Sequence, residues 1–400
     1  MLSAVPQPTE RTADLARRSG DARRGRGDFE ASGDPGEFAV ESDVESFARV
    51  HVDKPTPQFV ANLSTRVELI GAGEHRVPVT VNFAERDNAW VCSPYTAYCA
   101  YAIEELRRLM PPLVSYPLAA LCRAAGAALR HASIDQAVTI NNWLLSTNLY
   151  PALGPGVLKE WIGEARERWP DHAIWFRSLN DAWTPDWLAA LESEGAILLP
   201  SRQVYLYSDI ARLARTQPNL KVDLKLLART ELQRCDDADI RAADYARIEQ
   251  LYAMLYLQKY SQLNPAYRAS FVAAWHRAGL LKLTGFRDRG SGVLQAIVGT
   301  FERAGVVTAP LVGYDTNLPK QLGLYRILMA AVLKYAADYT LRVNLSAGAA
   351  HFKRTRGGMP AIEYSAVLAS HLPARRQRAL RGLRWLTAHI GVPLMTRFKL

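Results

Sequence analysis

One stretch, Val306–Tyr364, restricts the fold of this chain more than any other. Val306–Val312 is apolar and β-branched, as a buried strand requires. Gly313-Tyr314-Asp315-Thr316-Asn317-Leu318-Pro319 breaks it with residues that favour turn geometry. From Gly323 onward, Leu324, Ile327, Leu328, Ala331, Val332 and Tyr335 recur at helical spacing. A second strand, Arg342–Leu345, then runs into a polar hook bounded by Gly348 and Gly357-Gly358 and ending in Glu363-Tyr364. Strand, loop, helix and strand in that order predict an α/β sheet, and polar loops where adjacent strands end are where such sheets hold ligands.

The same run resembles the acyl-CoA N-acyltransferase (GNAT) fold. Within it the nearest likeness is to FemAB-like aminoacyltransferases and related acetyltransferases, in which a Tyr-Lys step follows the last conserved strand. Phe352-Lys353 holds that place here. The family's acyl-CoA loop is Gln/Arg-x-x-Gly-x-Gly/Ala. Lys320-Gln321-Leu322-Gly323-Leu324-Tyr325 keeps the first glycine and carries Tyr325 near the second. The resemblance implies tandem GNAT-like domains, each a mixed, mostly antiparallel sheet flanked by helices. It also implies direct transfer of an acyl or aminoacyl group to an amine of a small molecule or peptide, in a ternary complex. Acyl-CoA is the implied co-substrate, with acyl carrier protein or aminoacyl-tRNA as alternatives, and no cofactor is held permanently.

The rest of the chain sorts around that stretch. Residues 1–57 are rich in Gly, Pro, Ser and charge and read as disordered, because so few apolar groups cannot offset the entropy of ordering. Residues 58–210 and 221–400 read as two GNAT-like domains, the second carrying the site. Gln58–Ile70 and Val77–Ala84 form a hairpin signal around Gly71-Ala72-Gly73-Glu74, and Trp90-Val91-Cys92 reads as a third short strand. Helices are expected at 95–109, 117–131, 156–169, 185–194, 244–260 and 266–278. Strands are expected at 135–142, 172–177, 195–207, 280–287 and 293–303. Four cysteines without Cys-x-x-Cys spacing exclude a zinc ribbon, and no metal site is expected. No apolar run reaches about 18 residues and no secretory signal opens the chain, so no membrane span and a cytoplasmic location are expected.

The formal net charge of +10 is unevenly placed: residues 351–400 hold ten Lys/Arg against Glu363 alone. Such a tail suits CoA phosphates, a carrier protein, tRNA or an anionic membrane. A non-catalytic module binding one of these through residues 353–399 is therefore the alternative to an enzyme.

Amine acylation needs a base, an oxyanion holder and an acid, and no covalent nucleophile. Asp315 and Tyr314, at the end of the central strand, are the candidate base and acid. Lys353 and Glu363 complete the catalytic set, with Glu363 expected to pair with Lys353, Arg354 or Arg356. Gln321, Gly323, Tyr325, Arg326 and Arg356 are candidates for the donor's phosphates. Asn344, Ser346, His351, Tyr260, Asn142 and Arg177 are candidates for the acceptor.

Overall fold

Alternation at Arg66–Ile70 (β1) and Val77–Phe83 (β2) produces the expected antiparallel hairpin, with Ile70 opposite Val77. It is the edge of a single mixed sheet of eleven strands in a computed structural model that describes residues 42–85 and 87–398. The disorder expected of residues 1–41 lies outside the described residues.

The first half continues through a π-helical turn (Thr96–Ala100), α2 (Tyr101–Leu109), α3 (Pro112–His131), β3 (Gln136–Ile140), α4 (Val157–Arg168), β4 (Ala173–Leu179), α5 (Pro185–Ser193) and β5 (Ile197–Tyr207). It is preceded by α1 (Asp43–His51), and α6 (Ile210–Thr216) and α7 (Pro218–Arg229) lead to the second half. There β6 (Gln233–Cys235) comes before α8 (Tyr245–Tyr252), whose end widens into π-helical turns over Ala253–Tyr260. Then follow α9 (Ala269–Arg277), β7 (Lys282–Arg287), β8 (Leu294–Arg303), β9 (Val306–Tyr314), α10 (Leu324–Asp338), β10 (Arg342–Asn344), α11 (Ala350–Arg354) and β11 (Met359–Leu368). The basic α12 (Ala374–Leu386) and α13 (Val392–Phe398) close the described chain.

The halves repeat one topology. In each, an antiparallel meander leads into a strand joined by a crossover helix to a parallel neighbour: β3 to β4 through α4, and β9 to β10 through α10. All other ladders are antiparallel, so the fold is α/β with tandem GNAT-like halves, as the sequence led us to expect. The sheet runs β1-β2-β3-β4-β11-β5-β10-β9-β8-β7-β6. The last strand of each half is exchanged: β11 lies between β4 and β5, and β5 lies between β11 and β10. The chain thus does not divide into separable domains at residues 210–221. The described residues from 42 to 398 all belong to one compact unit.

Three local expectations are corrected. Residues 43–57 are ordered: Ser42 and Glu45 cap α1 reciprocally, and its buried face inserts Phe47 between Trp143 of the first half (5.1 Å) and Trp275 of the second (5.9 Å). Trp275 Nε1 donates to His51 Nε2 at 2.7 Å, and burial, aided by Lys54, lowers the His51 pKa to about 3. Trp90-Val91-Cys92 is a turn, because its carbonyls serve side chains of neighbouring elements instead of a ladder. Residues 350–354 of the supposed hook are a helical turn.

Candidate active site

β9 and β10 part company early. They pair only over Val306–Thr308 and Arg342–Asn344. Beyond that, Leu345 N donates to Tyr205 O (3.0 Å) and Tyr205 N donates to Ser346 O (3.2 Å), so the chain after β10 stays with β5. β9 runs on beside β8 as far as Tyr314, which is opposite Ala296. Its Ala309–Tyr314 segment is therefore a free edge on the β10 side among the described residues. Pro310, which has no N–H to give, lies where the β8 ladder shifts register between Gly299 and Phe301.

Tyrosines line this opening. Gly313 lets α8 press against β9, since a Cβ there would stand 2.6 Å from the Leu251 carbonyl carbon and Tyr252 N. The π-helical turns beyond α8 present Tyr256, stacked on Tyr252 (4.8 Å), and Tyr260, tilted 6.0 Å from Tyr256. Tyr314 approaches Tyr325 of α10 (6.4 Å), which packs edge-on against Phe352 of α11 (4.9 Å). Burial, followed by the neighbouring tyrosines, raises the pKa of Tyr256 and Tyr325, so both hydroxyls keep their protons. Lys259 Nζ donates to Tyr314 Oη at 3.3 Å.

Most of the expected ionic residues are already engaged. Arg247 Nη2 holds Asp315 Oδ2 at 2.8 Å while Asn317 N–H donates to Oδ1. Burial raises the carboxyl's pKa, but these two donors outweigh it and leave it below the ordinary value, which makes Asp315 a poor base. Lys353 is buried, and its Nζ donates to the carbonyls of Leu345 (2.7 Å), Ser346 (3.2 Å) and Ala347 (2.8 Å). Burial and then Arg202 bring its pKa down to about 7. Asp315 and Lys353 share no hydrogen bond. Arg326 and Arg356 converge on the buried Asp223 of α7, Arg326 through Nε at 2.6 Å. Arg356 also lies 3.6 Å over Phe352, which makes it a lock on the hook, while the Arg326 side chain stays 39% exposed.

Glu363 pairs with none of the expected partners. Arg202 of β5 grips it in two-point fashion, Nε to Oε1 at 2.8 Å and Nη2 to Oε2 at 3.1 Å. Arg202 and Arg177 both lie against the Trp90 ring, 4.6 and 5.0 Å from its centroid. Arg177 Nη1 donates to Val91 O (2.7 Å) and Asn142 Oδ1 (3.2 Å), and its Nη2 is buried with no partner. Asn142 is spent on Thr80 Oγ1 and Val91 O as well. Arg177 and Arg202 against Glu363 leave a net positive centre where the halves interlock.

The remaining candidates are dispersed. Asn344 Oδ1 accepts from Ser346 N, supporting Ser346 at φ 58°. Tyr260 is at the rim under Arg108 (5.4 Å). His351 and Gln321 are exposed. Gly323 takes φ 63° at the start of α10, where a Cβ would meet Leu226 of α7 at 2.7 Å. Sequence reading brought together Tyr314, Tyr325 and the Phe352-Lys353 step, and missed Asp223, Arg202, Arg247, Lys259 and Trp90. Asp223 had a signal, an acid three residues after Leu220 and four before Leu227, on the apolar face of a helix.

No family model matches the sequence, and no curated protein matches it. Solved structures with a similar outline include the C-terminal domain of a putative lysylphosphatidylglycerol synthetase from Agrobacterium fabrum, at 12% identity and TM-score 0.41, covering 58% of this chain and 77% of that one. FemX aligns at 8% identity and TM-score 0.42, covering 53% of this chain and 77% of its own. A tandem GNAT protein from the clavulanic acid pathway aligns at 16% identity and TM-score 0.37, covering 60% and 76%. These likenesses are loose, and the GNAT-like description of this fold is carried by its strand order.

Proposed function

We propose that the chain is an N-acyltransferase working where β9 and β10 part. The observation that carries this reading is the free edge of β9 opening beside Tyr314 and Tyr325 at the N-terminus of α10. An extended amide-bearing donor such as acyl-CoA can add to that edge as a further strand, with main-chain groups supplying affinity. Its phosphates would lie toward the first turn of α10, where the helix dipole and the partly exposed Arg326 favour negative charge. The amine of the acceptor attacks the thioester carbonyl. A C–N bond forms, the C–S bond breaks, the amine releases one proton and the thiolate takes one. In this reading Tyr314 gives the thiolate its proton, and Lys259, whose Nζ lies 3.3 Å from the Tyr314 hydroxyl, restores it. Asp315 and Lys353 support the walls of the opening and do not act in the transfer.

The test is titration calorimetry with acetyl-CoA and longer acyl-CoAs, followed by thiol release against a panel of amines. Tyr314→Phe is expected to lower kcat about 100-fold while leaving KM for the donor and thermal unfolding unchanged. A wild-type kcat in that variant removes Tyr314 from the mechanism, and absence of acyl-CoA binding removes the donor assignment.

A further inference from the structure

The helix α3 is built inside out. It packs on the fold through Ser115, Ala119, Gly126 and Leu129, a strip so narrow that a Cβ at Gly126 would stand 2.9 Å from the Tyr95 ring. The apolar side chains of its N-terminal half point the other way: Leu113 is 91% exposed and Tyr116 63%, with Val114 and Leu121 also exposed. Among the described helices it is the one long and apolar enough to span a bilayer, yet that strip seats it against α2, the π-helical turn at Thr96–Ala100 and α12. Beside it runs α12, whose Leu380 and Leu383 enter the same buried cluster as Leu129. α12 packs on β5 and touches α3, so its exposed face adjoins the exposed side of α3. The outer face of α12 carries Arg375, Arg378, Arg381 and Arg384, followed by Trp385, which is 56% exposed. Neither Pro112–His131 nor Ala374–Phe398 contains an acidic residue, while together they hold eight arginines.

We propose that α3 and α12 form a docking surface for an anionic lipid bilayer. Exposed aliphatic and aromatic side chains next to unopposed arginines match the two layers of such a membrane, acyl chains below and negative headgroups above. RNA would use the arginines and the tryptophan but has no use for Leu113, Val114 and Leu121, so the aliphatic row decides between the two. The proposal is independent of the chemistry assigned to the β9–β10 opening.

The test is co-sedimentation of the full chain with vesicles of phosphatidylcholine alone, and with phosphatidylglycerol added at about one part in three. Binding is expected to the mixed vesicles only, weakening as salt rises. Leu113→Asp combined with Tyr116→Asp, and separately Arg378→Glu combined with Arg381→Glu, are each expected to lower the partition coefficient at least ~10-fold. All four side chains are exposed, so circular dichroism and thermal unfolding should be unchanged. Failure to pellet with the mixed vesicles overturns the proposal, as does pelleting that is indifferent to the Leu113 and Tyr116 changes. Arginine-dependent binding of a single-stranded RNA that is tighter than vesicle binding, and unaffected by Leu113 and Tyr116, assigns the surface to nucleic acid instead.

Discussion

Three carbonyls converge on the Lys353 ammonium from a backbone that takes left-handed angles at Ser346 (58°), Gly348 (79°) and Ala349 (49°). A non-glycine residue in that region is strained, and the lysine offsets the strain by satisfying oxygens that the bend turns inward. Lys353→Met leaves the Leu345 and Ala347 oxygens without a donor, since only the Ser346 oxygen has Tyr205 N in reserve. Urea denaturation should show a loss of about 2–4 kcal/mol. The pH dependence follows from the lowered pKa. In the unfolded chain a lysine titrates near ~10.4, in the folded one at about 7. Between these values the unfolded state holds a proton that the folded state has released, so the lysine's contribution to stability rises with pH. The gap between wild type and Lys353→Met should widen from about pH 7 to about pH 10; a gap that narrows or stays flat contradicts the buried-lysine account. Lys353 and Arg356 could be recognised in the sequence as cations in a glycine-bounded turn. That Lys353 serves carbonyls and Arg356 serves Asp223 could not, because Asp223 is far away in the chain and reaches Arg356 only through the tertiary fold.

At the scale of elements, Arg202 and Glu363 lie directly opposite each other on β5 and β11, the two exchanged strands. Glu363 is buried, Arg202 half-buried, and a second arginine, Arg177, lies against the same tryptophan. Glu363→Gln strands two cations together and should cost about 3 kcal/mol, the low end for breaking a buried pair, because Arg202 keeps part of its side chain in solvent. Arg202→Met with Glu363→Leu removes both charges and should recover most of that loss. A double-mutant cycle in urea reads the coupling, and additive losses would mean that the pair does not hold the strands. Elements such as α10, β8 and β9 were legible because their apolar residues run nearly unbroken, β8 and β9 being buried on both faces. β11 was not: Met359–Leu368 mixes Glu363 and Ser365 with apolar residues on one side, since that side faces the arginine centre. α1 was hidden in a charged, glycine-rich stretch, although Ser42-x-x-Glu45 followed by Phe47 and Val50 carries a capping signal.

For the whole molecule, element order revealed the duplication but could not reveal the exchange, because the partner of a terminal strand is chosen by the assembled sheet. Without the second half, β5 loses both neighbours and β4 loses β11. Without the first, β11 loses both of its own, and α1 no longer joins Trp143 to Trp275. Fragments spanning 42–217 and 218–398 should therefore each lack near-UV circular dichroism and resist no protease when made alone. Each exposes unpaired strand edges and a half-covered apolar face, which favours aggregation over a stable half-fold. Made together they should associate one to one and unfold in a single urea transition, with the far-UV and tryptophan signals coinciding. A cooperative transition in either fragment alone would show that the halves are independent domains. The exchanged strands would then be decoration, and the positive centre around Arg177 and Arg202 a late addition to two finished folds. The single buried network joining β4, β11 and β5 argues the other way: the halves become stable only by completing each other, and the opening between β9 and β10 exists because β5 holds β10 back.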